Sequence, residues 1–458
     1  MRGIRLYDKS KIDWNHILFD NKKLIALLIP IAIEQLLNAF MGMVDTMMVS
    51  TVSAAAISAV SLVDSINNLV IQVFAAMATG AAIICSQYIG SGNIKAGNKA
   101  ARQVVLTVLA ISVFLMAVCL LGREKLLYFI FGQVEQDVME NALVYFLITV
   151  LSYPFLALFN AGSAFYRAGG NSRYPMQVSV VSNVLNIVGN AVFIYGFKWG
   201  VAGAALSTLI SRVFCTVVIF YSLRKPKQQI VVSNYLKIRP DFPLIWKIMA
   251  VGIPAGIENG MFQFGKLAIQ STVSAMGTTA IAAQAMTNIM ENVNGIFGVG
   301  VGICLMNVVG QCIGAGRKEE AKYYIVKLTL IAQVGILVSC LFALAITKPV
   351  TWLAGMEPES AAMCLQMVGA ITIVKPIFWS GSFVIAYGLR AAGDVRFSML
   401  VSTLTMWGCR VALCIFLVKA FHFGPMAVWI GMFVDWAVRS LIFTVRFIRG
   451  KWLKAALV

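Results

Sequence analysis

Two carboxylates stand inside the first long apolar stretch of the chain, PIAIEQLLNAFMGMVDTMMVS, which runs from Pro30 to Ser50. Glu34 and Asp45 are eleven residues apart, so in a helix they lie on one face, about 16 Å apart along the axis. A charge inside a lipid bilayer is costly and normally faces a partner or a water-filled cavity. The pattern therefore makes both carboxylates candidates for binding a proton or a metal cation.

Polar residues recur inside later apolar stretches of the first half. Asp64 has Asn68 one helical turn after it. This half then carries three acids against one base, Arg212, so we expect it to attract a free cation or a proton. Interhelical hydrogen bonding is the alternative role for its amides. The neutral polar side chains of the fifth and sixth stretches are Asn183, Asn186, Asn190, Ser207 and Thr208.

The second half carries bases as well as acids inside its apolar stretches. Asp435 and Arg439 are one helical turn apart and predict an ion pair. Lys375 requires a counter-ion, and we expect Glu258 and Glu291 either to supply it or to contact substrate. Gln284 and Asn288 are further candidate substrate contacts. The bases of this half are Lys266, Lys375, Arg410 and Arg439.

The elements that must position these residues are membrane-spanning helices. The chain has 458 residues, 60% hydrophobic and 12% charged, with a mean hydropathy of +0.84, which is too apolar for a soluble domain. About twelve apolar runs are each long enough to cross a bilayer as a helix, and the short alternating segments of a β-barrel are missing. The sequence therefore predicts an all-α integral membrane protein. The runs begin near Leu24, Ile57, Val104, Ala142, Pro175, Gly200, Trp246, Ala280, Tyr324, Ala361, Arg396 and Pro425.

The net charge of +18 follows membrane topology and does not indicate nucleic-acid binding. If the N-terminus is cytoplasmic, roughly 27 Lys and Arg residues lie on that side and about 5 on the other. Both termini and the basic connection 223–245 are then predicted to face the cytoplasm. We expect the inner (plasma) membrane of a bacterium as the location, and no cleaved signal peptide.

The two halves of the sequence are repeats of each other. A shift of 224 residues places Pro30 on Pro254, Glu34 on Glu258, and QYIGSGN on QCIGAGR. Later, YRAGGNSR matches LRAAGDVR at an offset one residue smaller. Six spans in each half give parallel repeats, so we predict two pseudo-symmetric six-helix lobes, 1–222 and 246–458, around a central cleft. The segment 223–245 is the predicted linker.

Signatures of enzymes and of metal cofactors are missing from the sequence. It has no GxGxxG, P-loop or nucleophile elbow, and its nine cysteines fall inside apolar runs, where they read as small core hydrophobes. We therefore predict that the protein is not an enzyme and needs no cofactor.

Taken together, these segments resemble the multidrug and toxic compound extrusion (MATE) family of transporters, bacterial type. The resemblance covers nearly the whole chain and rests on the opening stretch at Pro30, QYIGSGN, FYRAGGNSRYPM, NIVGNAVFIYG with GVAGAALST, and VGIPAGIENG. It implies an antiporter that exports small organic cations from the cytoplasm in exchange for sodium ions or protons.

The resemblance also implies roles for particular residues. Asp45 matches the acid of the family's first helix, Asn186 and Asn190 match the fifth-helix coupling positions, and Thr208 matches a sixth-helix hydroxyl. Similar members often have Asp where this chain has Asn190, and Glu34 or Asp64 are expected to compensate. We thus expect Na⁺ at Asp45, Asn186 and Asn190, or a proton at the carboxylate.

Other functions compete with this interpretation. A lipid-linked oligosaccharide flippase of the same superfamily would typically show extra spans or a basic cavity, whereas this chain has an acidic first half. An ion channel or a membrane scaffold would not need two equivalent lobes with buried acids. We expect a monomer surrounded by membrane lipid.

Overall fold

The computed structural model describes residues 5–458, and these residues form helices and connecting turns without a β-strand. The predicted all-α class is confirmed. Contacts divide the chain into two compact units. We call Ile25–Gly256 the N-unit, and residues 5–24 together with Ile257–Val458 the C-unit. The predicted lobe boundaries stay a prediction.

The helices of the first half begin and end where capping residues and prolines allow. Ser53 caps α2, because its Oγ accepts a hydrogen bond from the Ala56 N–H at 3.0 Å. Asn93 caps α3 in the same way through Ala96. The helices are α1 (Asn21–Ser50), α2 (Ala54–Gly90), α3 (Ile94–Leu121), α4 (Arg123–Phe131), α5 (Gln136–Leu151), α6 (Tyr153–Ala168), α7 (Arg173–Asn190) and α8 (Val201–Leu223).

The helices of the second half repeat the long hairpin of α1 and α2. The first two, α9 and α10, are joined by Gly277, whose positive φ of 99° favours glycine. Pro254 lies inside α9, as Pro30 lies inside α1. The helices are α9 (Phe242–Ser274), α10 (Thr278–Gly314), α11 (Lys318–Leu353), α12 (Pro358–Ala391), α13 (Val395–Thr405), α14 (Leu413–Phe421) and α15 (Met426–Arg449).

Within residues 5–458, ten helical segments are long and apolar enough to cross a membrane. An eleventh span is the pair α5 and α6, which is bent by 43° at Pro154, near the start of α6. The twelfth predicted run lies in α9, which is 33 residues long but less hydrophobic, because Glu258, Gln263 and Lys266 lie inside it. The chain is thus a multi-pass membrane protein.

Two of the spanning helices contain a wider, π-helical turn. Ala191–Gly196 continues α7 in the N-unit, and Met406–Ala412 joins α13 to α14 in the C-unit. Such turns leave part of the i→i−4 hydrogen-bond ladder unmade and are frequent at functional sites. Both adjoin the candidate residues, since one follows Asn190 directly and the other contains Arg410.

The segments at the ends of the units are held by specific contacts. In the C-unit, the Leu18 N–H donates to Glu320 at 2.6 Å and the Phe19 N–H donates to Tyr324 at 2.9 Å. The predicted linker 223–245 packs within the N-unit, where Asp241 pairs with Lys99 at 2.7 Å. That hydrogen bond lowers the pKa of the Asp241 carboxyl.

Candidate cation site and the charged groups around it

Asp45 is held by two amides of α7 in the N-unit. Asn190 Nδ2 donates to Asp45 Oδ1 at 2.6 Å, and Asn186 Nδ2 donates to Oδ2 at 3.2 Å. The two asparagines are four residues apart, so they lie on the same face of α7. Three of the residues that the resemblance implied are therefore together in the structure.

Ser207 of α8 fixes the orientation of the Asn186 amide. Its hydroxyl donates to the backbone oxygen of Asn186 at 2.8 Å and lies 3.0 Å from Oδ1. The helices approach closely here because position 189 is glycine, and a Cβ on Gly189 would collide with Ser207 Oγ. Thr208, which the resemblance pointed to, instead donates to the Ala204 carbonyl at 3.1 Å. The sequence placed both hydroxyls on α8 but did not show which one faces Asn186.

An oxygen atom beside Asp45 is left without a hydrogen-bond donor. Asn190 is fully buried, and its Oδ1 has no hydrogen-bond partner among the described residues. A buried carbonyl oxygen without a partner is costly, and a cation would satisfy it. Together with the Asp45 carboxylate it offers hard oxygen ligands, which suit Na⁺. No group of three or more His, Cys, Asp or Glu side chains able to hold a metal occurs in residues 5–458, so neutral oxygens must complete such a site.

Asp64 lies in a second polar group of the N-unit. Its Oδ1 accepts hydrogen bonds from Asn67 and Tyr145, both at 3.3 Å. Asn67 is in turn held by Tyr153, whose hydroxyl donates to Asn67 Oδ1 at 2.7 Å. The partner expected from spacing, Asn68, is exposed instead.

Arg212 is the cation of this acidic region. Its Nη1 donates to Ser152 Oγ at 2.6 Å. It is within electrostatic range of Asp45 and Asp64 but forms no ion pair with either. The two carboxylates therefore share one cation without direct contact.

Glu34 is not a free acid in the structure. It is 2% exposed, and its Oε2 pairs with Arg167 Nη2 at 2.5 Å. The expected balance of three acids against Arg212 alone was wrong, because Arg167 at the end of α6 folds back onto α1. Glu258 has the equivalent partner in the C-unit, since Arg390 Nη2 lies 2.5 Å from its Oε1.

Lys375 of the C-unit is fully buried and is compensated by α10. Its Nζ lies 2.7 Å from Glu291 Oε1 and 3.0 Å from the Glu291 backbone oxygen, and it also donates to Asn294 Oδ1. Glu291 therefore supplies the counter-ion. Glu258, the other acid considered for this role, is paired with Arg390 instead.

Asp435 is shared by two arginines. Arg439 donates to both of its oxygens at 2.9 and 3.0 Å, and Arg410 lies 2.6 Å from Oδ2. All three side chains are buried. Arg410 comes from the π-helical turn, which packs closely on α15 where position 431 is glycine, since a Cβ there would lie 2.7 Å from the Arg410 oxygen.

Gln284 and Asn288 lie on α10, one turn apart. Gln284 donates to Asn288 Oδ1 at 3.4 Å, and its Oε1 accepts from Trp429 Nε1 at 3.0 Å. Gln284 is buried and Asn288 is partly exposed. Of the two, Asn288 thus has surface available to a ligand.

Comparison with known proteins agrees with the internal repeat. The family model MatE matches residues 30–192 and again 254–416, and the starts of the two blocks reproduce the 224-residue shift between Pro30 and Pro254. The protein belongs to the MATE family. MATE proteins are transporters, so the expectation that the chain is not an enzyme is confirmed.

Two bacterial relatives match the MATE chain over most of its length. "Uncharacterized transporter YisQ" of Bacillus subtilis is 28% identical over 94% of this chain and 95% of its own. "Probable multidrug resistance protein NorM" of Thermotoga maritima is 27% identical over 95% of this chain and 94% of its own. The similarity therefore includes both halves.

Solved MATE structures share the fold. An outward-facing MATE family transporter of the MOP superfamily is 19% identical and superposes with a TM-score of 0.88, covering 99% of both chains. A MATE structure in the straight conformation has a TM-score of 0.87 at the same identity and coverage. The helical architecture thus agrees with known members along the whole chain.

Proposed function

We propose that this MATE protein is a secondary antiporter that exports small organic cations, including drugs, from the cytoplasm in exchange for Na⁺ or H⁺. Relatives named multidrug resistance proteins support the class of cargo. The group around Asp45 supports ion coupling, because it combines a carboxylate with a buried amide oxygen that lacks a donor. This observation carries the proposal.

Coupling arises because the inorganic ion and the organic cation both depend on the charge of the N-unit around Asp45. A bound Na⁺ would coordinate Asp45 and Asn190 Oδ1, whereas a proton would neutralise the carboxylate while the amide bonds hold its position. Either ion stabilises one arrangement of the helices around Asp45, and release of the organic cation is favoured in that arrangement. By linkage, the organic cation then favours ion release to the same extent.

The protein acts as a monomer in the bacterial inner (plasma) membrane, with both termini in the cytoplasm. The distribution of Lys and Arg supports this orientation. A single cysteine introduced at Lys227, in a variant without the native cysteines, should react with a membrane-impermeant maleimide only after the cells are permeabilised. Labelling from outside intact cells contradicts the orientation.

Transport in proteoliposomes tests the function directly. Purified protein is reconstituted, an outward gradient of Na⁺ or of protons, with the higher concentration inside the vesicles, is imposed separately, and uptake of a fluorescent organic cation is followed. We expect accumulation against its gradient with one of the two ions. If neither gradient drives uptake while the dye exchanges by counterflow, the protein is a facilitator and the coupling proposal fails.

A further inference from the structure

The interior of the C-unit carries more positive than negative charge. Apart from the separate ion pairs of Glu258 with Arg390, Asp394 with Arg446 and Glu320 with Arg317, one group of charged side chains lies on α9, α10, α12, α15 and the π-helical turn, and we call it the C-cluster. Its members are Lys266, Lys375, Arg410, Arg439, Glu291 and Asp435. Four cations face two carboxylates, which leaves two uncompensated positive charges.

The uncompensated charge is concentrated at Lys266. Its Nζ lies 5.0 Å above the Phe262 ring, and the Arg410 guanidinium lies 5.0 Å from the same ring. Glu291 is the carboxylate within electrostatic range of Lys266, but its closest partner is Lys375 at 2.7 Å. No ion pair with Lys266 occurs among the described residues.

The C-cluster is open to a ligand on one side only. Lys375, Arg410 and Asp435 are buried, whereas Lys266 is exposed and the Glu291 side chain is 17% exposed. Lys266 lies inside α9, where an ammonium in contact with lipid would be strongly disfavoured. We therefore expect the exposed side of Lys266 to face water, which makes it the side from which a ligand reaches the C-cluster.

We propose that Lys266, with Arg410 behind it, binds the carboxylate of substrates that carry both a cationic and an anionic group. Two cations on one aromatic ring repel each other, and a carboxylate bound at the exposed Lys266 reduces that repulsion and gains a charge-assisted hydrogen bond. Arg410 Nε is buried without an acceptor, so the cluster has a donor to spare. The partly exposed Glu291 lies beside the site, where it contacts the cationic part of the same molecule.

This inference rests on the proposed export of organic compounds and narrows the substrate class. It predicts that zwitterions bind better than their esters, although both carry the same cationic group. The acidic group at Asp45 does not account for such a preference, since it would favour the molecule with the larger net positive charge.

Equilibrium binding to the purified full-length protein tests the proposal without any ion gradient. Rhodamine B, which carries a cationic xanthene and a free carboxylate, is compared with its ethyl ester by fluorescence polarisation. We expect the protein to bind rhodamine B more tightly, and we expect Lys266→Met to reduce the ratio of the two affinities about tenfold, the size of one lost charge-assisted hydrogen bond.

Matched variants distinguish loss of the carboxylate site from a general effect on the protein. Lys247→Met removes another lysine of α9, whose Nζ lies 5.7 Å from the centre of the Tyr88 ring in the N-unit. It should leave the ratio of the two dye affinities unchanged. Lys266→Arg keeps the charge and should retain the preference, whereas Lys266→Glu should reverse it. Binding of the ester by each variant shows that it is folded.

Three outcomes overturn the proposal. The first is equal affinity of the wild-type protein for rhodamine B and its ester, which needs no variant to be stable. The second is an equal loss for both dyes in Lys266→Met. The third is an unchanged preference for rhodamine B in Lys266→Met, which would place the carboxylate at another site. Failure of gradient-driven transport would instead affect only the coupling proposal, because no gradient is used here.

Discussion

The N-unit and the C-unit repeat the same helices but carry opposite interior charge. Asp45 and Asp64 share Arg212 in the N-unit, whereas the C-cluster has four cations for two carboxylates. The 224-residue shift places Asp64 on Asn288 and Asn67 on Glu291, so acid and amide have exchanged positions on the second helix of each repeat.

The charged residues common to both repeats have a different role from those that occur in only one of them. Each keeps a glutamate on its first helix paired with an arginine at the end of its fourth span, Glu34 with Arg167 and Glu258 with Arg390. In each pair a buried glutamate from the middle of a helix meets an arginine from the end of another helix, and we interpret these pairs as structural. We assign the functional difference between the units to the residues that the repeats do not share.

The largest expected effect is that of Lys375→Met. The substitution leaves Glu291 without its nearest cation inside the C-unit and should lower the free energy of unfolding by about 3–5 kcal/mol. Thermal unfolding followed by fluorescence-detected size exclusion measures the change. The double variant Lys375→Met with Glu291→Met should recover most of the stability, because a buried pair can be replaced by apolar side chains. An unstable double variant would show that the two residues are not energetically coupled.

Asp45→Asn should abolish gradient-driven transport with little effect on folding. Removal of the charge leaves only neutral oxygens for the cation, so we expect at least about a 100-fold fall in the transport rate, or about 2.7 kcal/mol. Asp64→Asn is the matched control and should retain more activity, since the amide oxygen beside Asp64, Asn67 Oδ1, already accepts a hydrogen bond from Tyr153, whereas Asn190 Oδ1 beside Asp45 has no donor. If Asp64→Asn abolishes transport and Asp45→Asn does not, the coupling site must be moved to Asp64.

Glu34→Gln and Glu258→Gln should behave alike. Each removes one charge of an equivalent buried pair while keeping its shape, and the free energy of unfolding should fall by about 1–3 kcal/mol in both. Thermal unfolding of the two variants side by side gives the comparison. A loss of transport in one variant without a loss of stability would show that its glutamate has a functional role, and the shared-structure interpretation would fail for that unit.

Ser207→Ala should have the smallest effect, about 1 kcal/mol on ion affinity. The variant frees the Asn186 amide that holds Asp45, so the concentration of Na⁺ or H⁺ giving half-maximal transport should rise several-fold. Thr208→Val is the control, because its hydroxyl bonds only the Ala204 carbonyl of its own helix. A larger shift for Thr208→Val would give the role to Thr208, as the resemblance implied.

The sequence alone determined the spanning helices and the repeat. Within lipid a helix satisfies all of its own backbone hydrogen bonds, so the long apolar runs around Pro30 and Ala280 are predicted to be helices from their sequence alone. Spacing within a helix also placed Asn186 and Asn190 on one face, and Asp435 beside Arg439. These relations are local, and local geometry follows from the 3.6-residue turn.

Only the tertiary structure decided which charges are free. Arg167 and Glu34 are 133 residues apart, and no periodicity shows that an arginine at the end of one span reaches the first helix. The same holds for Ser207 rather than Thr208 facing Asn186, since adjacent residues of a helix point about 100° apart and the packing of α7 on α8 selects one of them. Charge pairing between helices depends on the angle and depth at which they pack, and these are set by all the side chains of the interface together.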